Sequence, residues 1–132
     1  MSSVLSIAAS GLAAQSKRLA VSANNVANIR SLGLKADRSN AAAGAYEPKQ
    51  TALSSIPGGG VRATEVPVVP PSFNSYEPND RDADVNGLVP RPNISLEQEI
   101  VTQIQAVRAY QANLETIKAE DRLLGSLLDA LS

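Results

Sequence analysis

All eight prolines of this chain fall between Pro48 and Pro92, while the stretches on either side carry apolar residues at helical spacing. A proline inside a helix removes a hydrogen bond and clashes with the preceding turn. The distribution therefore divides the chain into a first helical pattern from Val4 to about Ile29, a turn-forming middle, and a second helical pattern from Leu96 to Leu131. The boundaries this implies are 1–30 for an N-terminal assembly helix, 31–95 for a linker, β-hairpin and extended segment, and 96–132 for a C-terminal assembly helix. The predicted fold is mostly α, with the two terminal helices paired as a coiled coil into one packed unit and a proline-rich middle carrying a small β-hairpin. Two long helical patterns at opposite ends of a short chain point to assembly.

In the first pattern Leu5, Leu12, Leu19 and Val26 recur every seven residues, and Ala8, Ala9, Ala13, Ala20 and Ala23 fill neighbouring helical positions. Small residues let two helix axes approach closely, and Ser10-Gly11 is where the closest approach is expected. In the second pattern Ile100, Val107, Leu114 and Leu128 share one heptad position, and Tyr110, Ile117, Leu124 and Leu131 share the position three residues later. Asp121 and Gln103 interrupt these series, and such polar positions specify register at a cost in stability. Ser95 is the expected N-cap, with Gln98 as its capping-box partner. At 1.5 Å per residue this helix is roughly 50 Å long. A single partner cannot cover Val101, Ile104 and Leu127 as well as the main seam, so some apolar surface is expected to face other subunits. The plainer alternative is a helical hairpin folded on itself as a monomer.

Composition narrows the chemistry. With one Phe, three Tyr and no Trp, the core must be small and aliphatic. The chain has no cysteine and no histidine, which removes disulfides, thiol chemistry and the commonest general base and metal ligand. No converging set of titratable residues suggests an enzyme, and no cofactor is implied. Charges nearly cancel, so nothing argues for nucleic acid or an anionic membrane surface. Locally, residues 1–29 carry only Lys17 and Arg18, whereas the segment from Leu96 onward carries six acids against Arg108, Lys118 and Arg122, which favours pairing of the ends. No secretory signal is expected at the N-terminus, and no apolar run is long enough for direct membrane insertion.

The middle holds two candidate sites, and the end of the first helical pattern a third. From Arg30 to Ala45 the sequence reads as an irregular link. Pro57-Gly58-Gly59-Gly60 is a turn between the arms Pro48–Ile56 and Val61–Val69, which predicts a β-hairpin. As a phosphate loop the three glycines fail, because a strand-like alternation follows where a helix would be needed. Asp82-Ala83-Asp84-Val85-Asn86-Gly87 reproduces the first half of a calcium loop, but the twelfth position is Asn93 and Pro90 and Pro92 obstruct the exiting helix. A solvated acidic turn before the last helix is the better reading, and a small calcium-responsive module the rival. Asn25 and Asn28 share a helix face, where they either bond across to a partner helix or serve a turn at the helix end.

Ala8-Ala9-Ser10-Gly11-Leu12 followed by Asn24-Asn25-Val26-Ala27-Asn28 resembles the N-terminal signature of bacterial flagellar axial proteins. The run Arg108-Ala109-Tyr110-Gln111-Ala112-Asn113 near the end is similar to that of proximal rod proteins of the FlgC type within that family. So are Tyr76-Glu77-Pro78, Ala83-Asp84-Val85-Asn86-Gly87-Leu88-Val89 and Pro92-Asn93-Ile94. The link over 30–45 is Ala-rich and departs from the threonine-, proline- and glycine-bearing link usual in the family. The resemblance implies a non-enzymatic structural subunit of the flagellar basal-body rod, polymerising through its terminal helices, with itself and other rod subunits, into the axial tube that transmits torque. It further implies passage through the flagellar type III export apparatus without a cleaved signal peptide and a place in the periplasm-spanning rod. A cytoplasmic export adaptor or chaperone for axial proteins is the alternative.

Overall fold

In the computed structural model, residues 3–31 and 46–131 are described. Most of the expected irregular link therefore lies outside the described residues. Two helices and two hairpins follow in order: α1 (Ser3–Ala27), β1 (Lys49–Ser55), β2 (Val61–Pro67), β3 (Ser72–Tyr76), β4 (Leu88–Pro92) and α2 (Leu96–Leu131). The fold is mostly helical, as expected, with α1 and α2 in contact and antiparallel hairpins between them.

The helix boundaries follow local chemistry. At the start of α2, Ser95 Oγ accepts from the Gln98 amide at 3.3 Å and donates to Glu97 Oε2 at 3.0 Å. This satisfies one amide that the first turn leaves without an intrahelical partner. At the end of α1 the Asn28 side chain donates back to the Asn24 carbonyl at 2.9 Å, and its Oδ1 accepts from Ser31 Oγ at 2.9 Å.

The first hairpin runs from Lys49 opposite Pro67 to Ser55 opposite Val61. Its turn closes through the Gly59 amide on the Ile56 carbonyl at 3.0 Å and the Ile56 amide on the Gly60 carbonyl at 3.1 Å. Gly58, Gly59 and Gly60 have φ of 91°, 99° and 99°, a conformation in which a β-carbon is strained. The expected hairpin is thus present, and glycine is the residue its turn demands.

The second hairpin, in which Ser72 opposes Pro92 and Tyr76 opposes Leu88, was expected only as an extended segment. Its strands are short, and Pro90 and Pro92 mask the pairing pattern. The acidic stretch is the loop of this hairpin and does not lead directly into α2. Asp84 Oδ1 accepts from the Asn86 and Leu88 amides, each at 2.8 Å, and Asp80 Oδ1 accepts from the Asp82 amide at 2.8 Å. The Glu77 carboxylate grips Arg91 across the hairpin, with Arg91 Nε at 2.6 Å and Nη2 on the second oxygen.

Helix α1 is the middle layer, packed on α2 along one side and on β1 and β2 along another. Strands β3 and β4 lie outside this stack. Among the described residues the buried apolar side chains are few and small: Ala8, Ala14, Val21, Val89 and Ala106.

Candidate assembly interface

The helices run antiparallel, since Gly11 stands against Asn113 while Ser22 Oγ donates to the Glu99 carbonyl at 3.2 Å. The buried line of α1 is Ala8, Gly11, Ala14, Val21, Ser22 and Asn25, at the spacing of one helix face. Opposite it, Ala106 is the only residue of α2 that is fully buried, and Glu99, Thr102, Ala109, Asn113 and Ile117 are half-buried beside it. The seam inside the chain is therefore made of small and polar side chains. Ser10-Gly11 lies at a close approach, as the sequence suggests.

The large aliphatic residues expected to fill that seam lie beside or outside it. Leu5, Leu12 and Val26 are half-buried, and Leu19 is exposed. On α2, Ile117 is half-buried, whereas Ile100, Val107, Tyr110, Leu114, Leu124, Leu128 and Leu131 are exposed, the last at 86%. The physical reason is a competition that heptad counting does not register. Alanine and glycine let the backbones come close, and the bulkier side chains then straddle the contact at its flanks.

Asn25 is the polar centre of the molecule. It is 2% exposed, and its Nδ2 donates to the Lys49 carbonyl at 2.7 Å and to Glu99 Oε1 at 2.6 Å. Its Oδ1 accepts from the Tyr46 hydroxyl at 2.9 Å and the Lys49 amide at 3.2 Å. Two donors and two acceptors are the full capacity of an amide, and here they join α1 to α2 and to the first hairpin. Burial pushes the Tyr46 hydroxyl above its usual pKa, against the pull of Lys49 and with smaller help from Glu99 and Glu65. Of the two asparagines on this face, Asn25 makes the interhelical bond and Asn28 serves its own helix end. Neither Tyr46 nor Glu99 stands out in the sequence as a partner for Asn25.

The hairpin turn docks on the first turns of α1. Ser10 Oγ accepts from the Val61 amide at 3.0 Å and donates to the Ile7 carbonyl at 2.7 Å. A β-carbon on Gly60 would stand 2.6 Å from that Oγ, so glycine is needed for contact as well as for φ. Glu65 of β2 meets Lys49 at 3.1 Å and Lys17 of α1 at 3.6 Å, and the Lys49 hydrogen bond holds its carboxyl below the usual range. The cations of α1 thus reach Glu65 and, from Arg18, Gln105 at 3.2 Å, rather than the acids of α2. For Lys17 and Arg18, these contacts stand where pairing with the acids of α2 was expected.

A cleft of about 330 Å³ lies between α1, the first hairpin and the start of α2, lined by Arg18, Asn25, Lys49, Thr51 and Glu99 among others. Two of its polar groups, Asn25 and Glu99, are bonded to each other. Among the described residues no group of three or more Asp or Glu side chains is placed to hold a metal ion, and no helix is long and apolar enough to cross a membrane. What the molecule offers is surface: aliphatic rows on both helices, with a polar clamp fixing their relative position.

Comparison with known proteins follows the same division of the chain. Residues 5–29 match the model of the flagella basal body rod protein family, and residues 85–130 match that of the C-terminal region of the flagellar basal body rod FlgEFG proteins. The flagellar basal-body rod protein FlgC of Salmonella typhimurium is 38% identical over 86% of this chain and 85% of its own length. The protein of that name in Agrobacterium fabrum is 33% identical over 99% of this chain and 95% of its own. In Bacillus subtilis it is 29% identical over 95% and 94%.

Proposed function

This chain belongs to the FlgC family of flagellar basal-body rod proteins and is a non-enzymatic structural subunit of the rod, and from that premise we propose how it assembles. The paired termini, 1–30 and 96–132, act as one unit that polymerises with further copies and with other rod subunits into a helical tube carrying torque. The first hairpin is held on that unit, and the second projects from it. Within the tube, Leu5, Leu12, Leu19 and Val26 and the aliphatic rows from Ile100 to Leu131 close as a coiled-coil-like set of contacts between neighbouring helices. Delivery is through the flagellar type III export apparatus without a cleaved signal.

One observation carries this reading: among the described residues the helix pair buries mainly small side chains against itself and leaves most of the large aliphatic ones of α2 exposed. A helix apolar on the side facing away from its own partner is incomplete until a neighbour covers it. Contacts between different surfaces that do not close generate a helix of subunits. Heterologous packing over many such rows transmits torque without depending on any single bond.

The test is rod assembly in a cell whose motility depends on this chain. Leu12→Asp and Leu114→Asp are each expected to abolish motility and remove the chain from isolated basal bodies. Intact rods carrying either variant would show that the aliphatic rows are not the assembly surface.

A further inference from the structure

The loop between β3 and β4 places two reactive neighbours side by side. Asn86 is exposed and is followed by Gly87, whereas every other asparagine of the chain is followed by a residue with a β-carbon. The fold fixes that glycine: its φ is 75°, and a β-carbon there would stand 3.0 Å from both Pro78 Cβ and Tyr76 Cε2. Glycine leaves the main-chain nitrogen after an asparagine least shielded. That nitrogen can then reach the asparagine's own side-chain carbonyl carbon and close a five-membered ring.

We infer that Asn86 is a self-modification site, converting through a cyclic imide to aspartate or isoaspartate, and that Asp84 sets the rate by holding the loop closed. The Gly87 amide nitrogen gives up its proton to solvent and attacks Asn86 Cγ. The new N–C bond forms as the Cγ–Nδ2 bond breaks, and Nδ2 takes a proton from solvent and leaves as ammonia. Water then opens the ring. Attack at the side-chain carbonyl gives aspartate, and attack at the main-chain carbonyl gives isoaspartate, in which the backbone runs through Cγ. Water is the only reagent consumed. This inference goes beyond the rod-subunit reading and does not depend on it.

Asp84 restrains the groups that the reaction must move. Its main-chain carbonyl accepts from the Gly87 amide at 3.0 Å, so the attacking nitrogen is engaged and its proton held. Its Oδ1 accepts from the Asn86 and Leu88 amides at 2.8 Å each, and its own amide donates to the Leu88 carbonyl at 2.9 Å. The Asp84 carboxylate also disfavours an anion on the nearby Gly87 nitrogen. Ring closure therefore proceeds from local openings of the loop. Elsewhere asparagine side chains are tied into the fold: Asn25 donates to Glu99, Asn28 to the Asn24 carbonyl, Asn93 to the Pro70 carbonyl and Asn113 to the Ala109 carbonyl. Either product adds a negative charge beside Asp84, and isoaspartate also lengthens the main chain within the turn. Modification thus loosens the second hairpin and leaves the helix pair intact, because β3 and β4 lie outside that stack.

The purified chain would be held in mildly alkaline buffer and digested, and its asparagine-bearing peptides followed by mass spectrometry for conversion of amide to acid, with chromatography separating aspartate from isoaspartate. Asn86 is expected to convert ahead of every other asparagine. Asp84→Ala should speed that conversion about tenfold, the change in loop opening that follows loss of two hydrogen bonds. Asp84→Asn keeps a side-chain oxygen as acceptor and should stay nearer the parent rate. In urea the parent and Asp84→Ala should convert alike. Earlier conversion at another asparagine would overturn the site, as would an unchanged Asn86 in the folded chain when the urea-unfolded chain converts. Equal rates in the folded parent and Asp84→Ala, equal rates in Asp84→Ala and Asp84→Asn, or a difference that persists in urea would overturn the role of Asp84.

Discussion

Gly11 of α1 faces Asn113 of α2 so closely that a β-carbon at position 11 would stand 2.5 Å from Asn113 Oδ1. Asn113 is not free to swing aside without loss, because its Nδ2 donates to the Ala109 carbonyl at 2.8 Å. Gly11→Ala gains about 1 kcal/mol of helix propensity but incurs an overpacking cost of about 1–3 kcal/mol. A net loss of about 1 kcal/mol is expected in thermal melts followed by circular dichroism. The second substitution Asn113→Ala removes the obstacle, so Gly11→Ala/Asn113→Ala should be more stable than Gly11→Ala alone. If the two effects simply add, the helices do not approach where the structure places them.

Asn25 bonds α2, β1 and Tyr46 at once. Removing its side chain leaves the Glu99 carboxylate, the Tyr46 hydroxyl and the Lys49 backbone without their shared partner, and Asn25→Ala should cost about 2–4 kcal/mol. Asn25→Asp keeps the shape but sets a second carboxylate against Glu99. The new carboxyl then has a folded-state pKa above its unfolded one, so stability is retained below the unfolded value and lost as pH rises through the folded one. Melting temperatures of this variant should fall from acidic to neutral pH, relative to the parent chain. A parallel pH dependence in both proteins would show that position 25 does not face Glu99.

Glu77 makes the reverse prediction. Hydrogen bonds from Arg91 and then Ser75 hold its carboxyl below the usual 4.5. Its pairing with Arg91 therefore contributes above the unfolded value and is lost as pH falls through the lower, folded one. Carboxyl-detected NMR should place the Glu77 midpoint under 4.5, and Arg91→Met should return it to the usual range. Chemical shifts of β3 and β4 should change with that same midpoint while those of α1 do not, because this hairpin lies outside the helical stack.

The sequence reveals this architecture unevenly, for physical reasons. Helices α1 and α2 and the first hairpin are visible because proline placement, heptad spacing and the Pro57–Gly60 turn are local signals. The second hairpin is hidden by prolines within β4, and its acidic loop resembles half of a calcium site until Asp84 is seen accepting two backbone amides. The seam is misplaced by one position because leucines dominate a heptad count while Ala8, Gly11 and Ala106 decide how closely backbones approach. Glu99 and Tyr46 could not be matched to Asn25 from spacing, since only the fold brings the three together.

Ser10 supplies a test of how the hairpin is held. Its hydroxyl accepts the Val61 amide at 3.0 Å, and Ser10→Ala removes one hydrogen bond worth about 1 kcal/mol. Amide exchange at Val61 should then quicken roughly fivefold, with the hairpin still formed. Gly60→Val both strains a φ of 99° and drives a side chain into Ser10. It should detach the turn, and exchange should rise across β1 and β2 together. Unchanged exchange in Gly60→Val would contradict the docking.

Ala106 and Val107 are adjacent in sequence, yet they separate folding from assembly. Ala106 is 1% exposed in the seam and Val107 is 42% exposed beside it. Ala106→Leu forces a larger side chain between closely spaced backbones, so the isolated chain itself should lose about 1–3 kcal/mol. Val107→Asp adds a charge to a surface that is wet in the single chain, and a change within about 0.5 kcal/mol is expected there. In the rod the same carboxylate would be buried against a neighbour, where an unpaired charge costs several kcal/mol. Val107→Asp should therefore melt like the parent and be missing from basal bodies, whereas Ala106→Leu should melt early. Incorporation of Val107→Asp at parental levels would mean that the exposed row of α2 faces water in the rod as well, and the assembly reading of that row would fail.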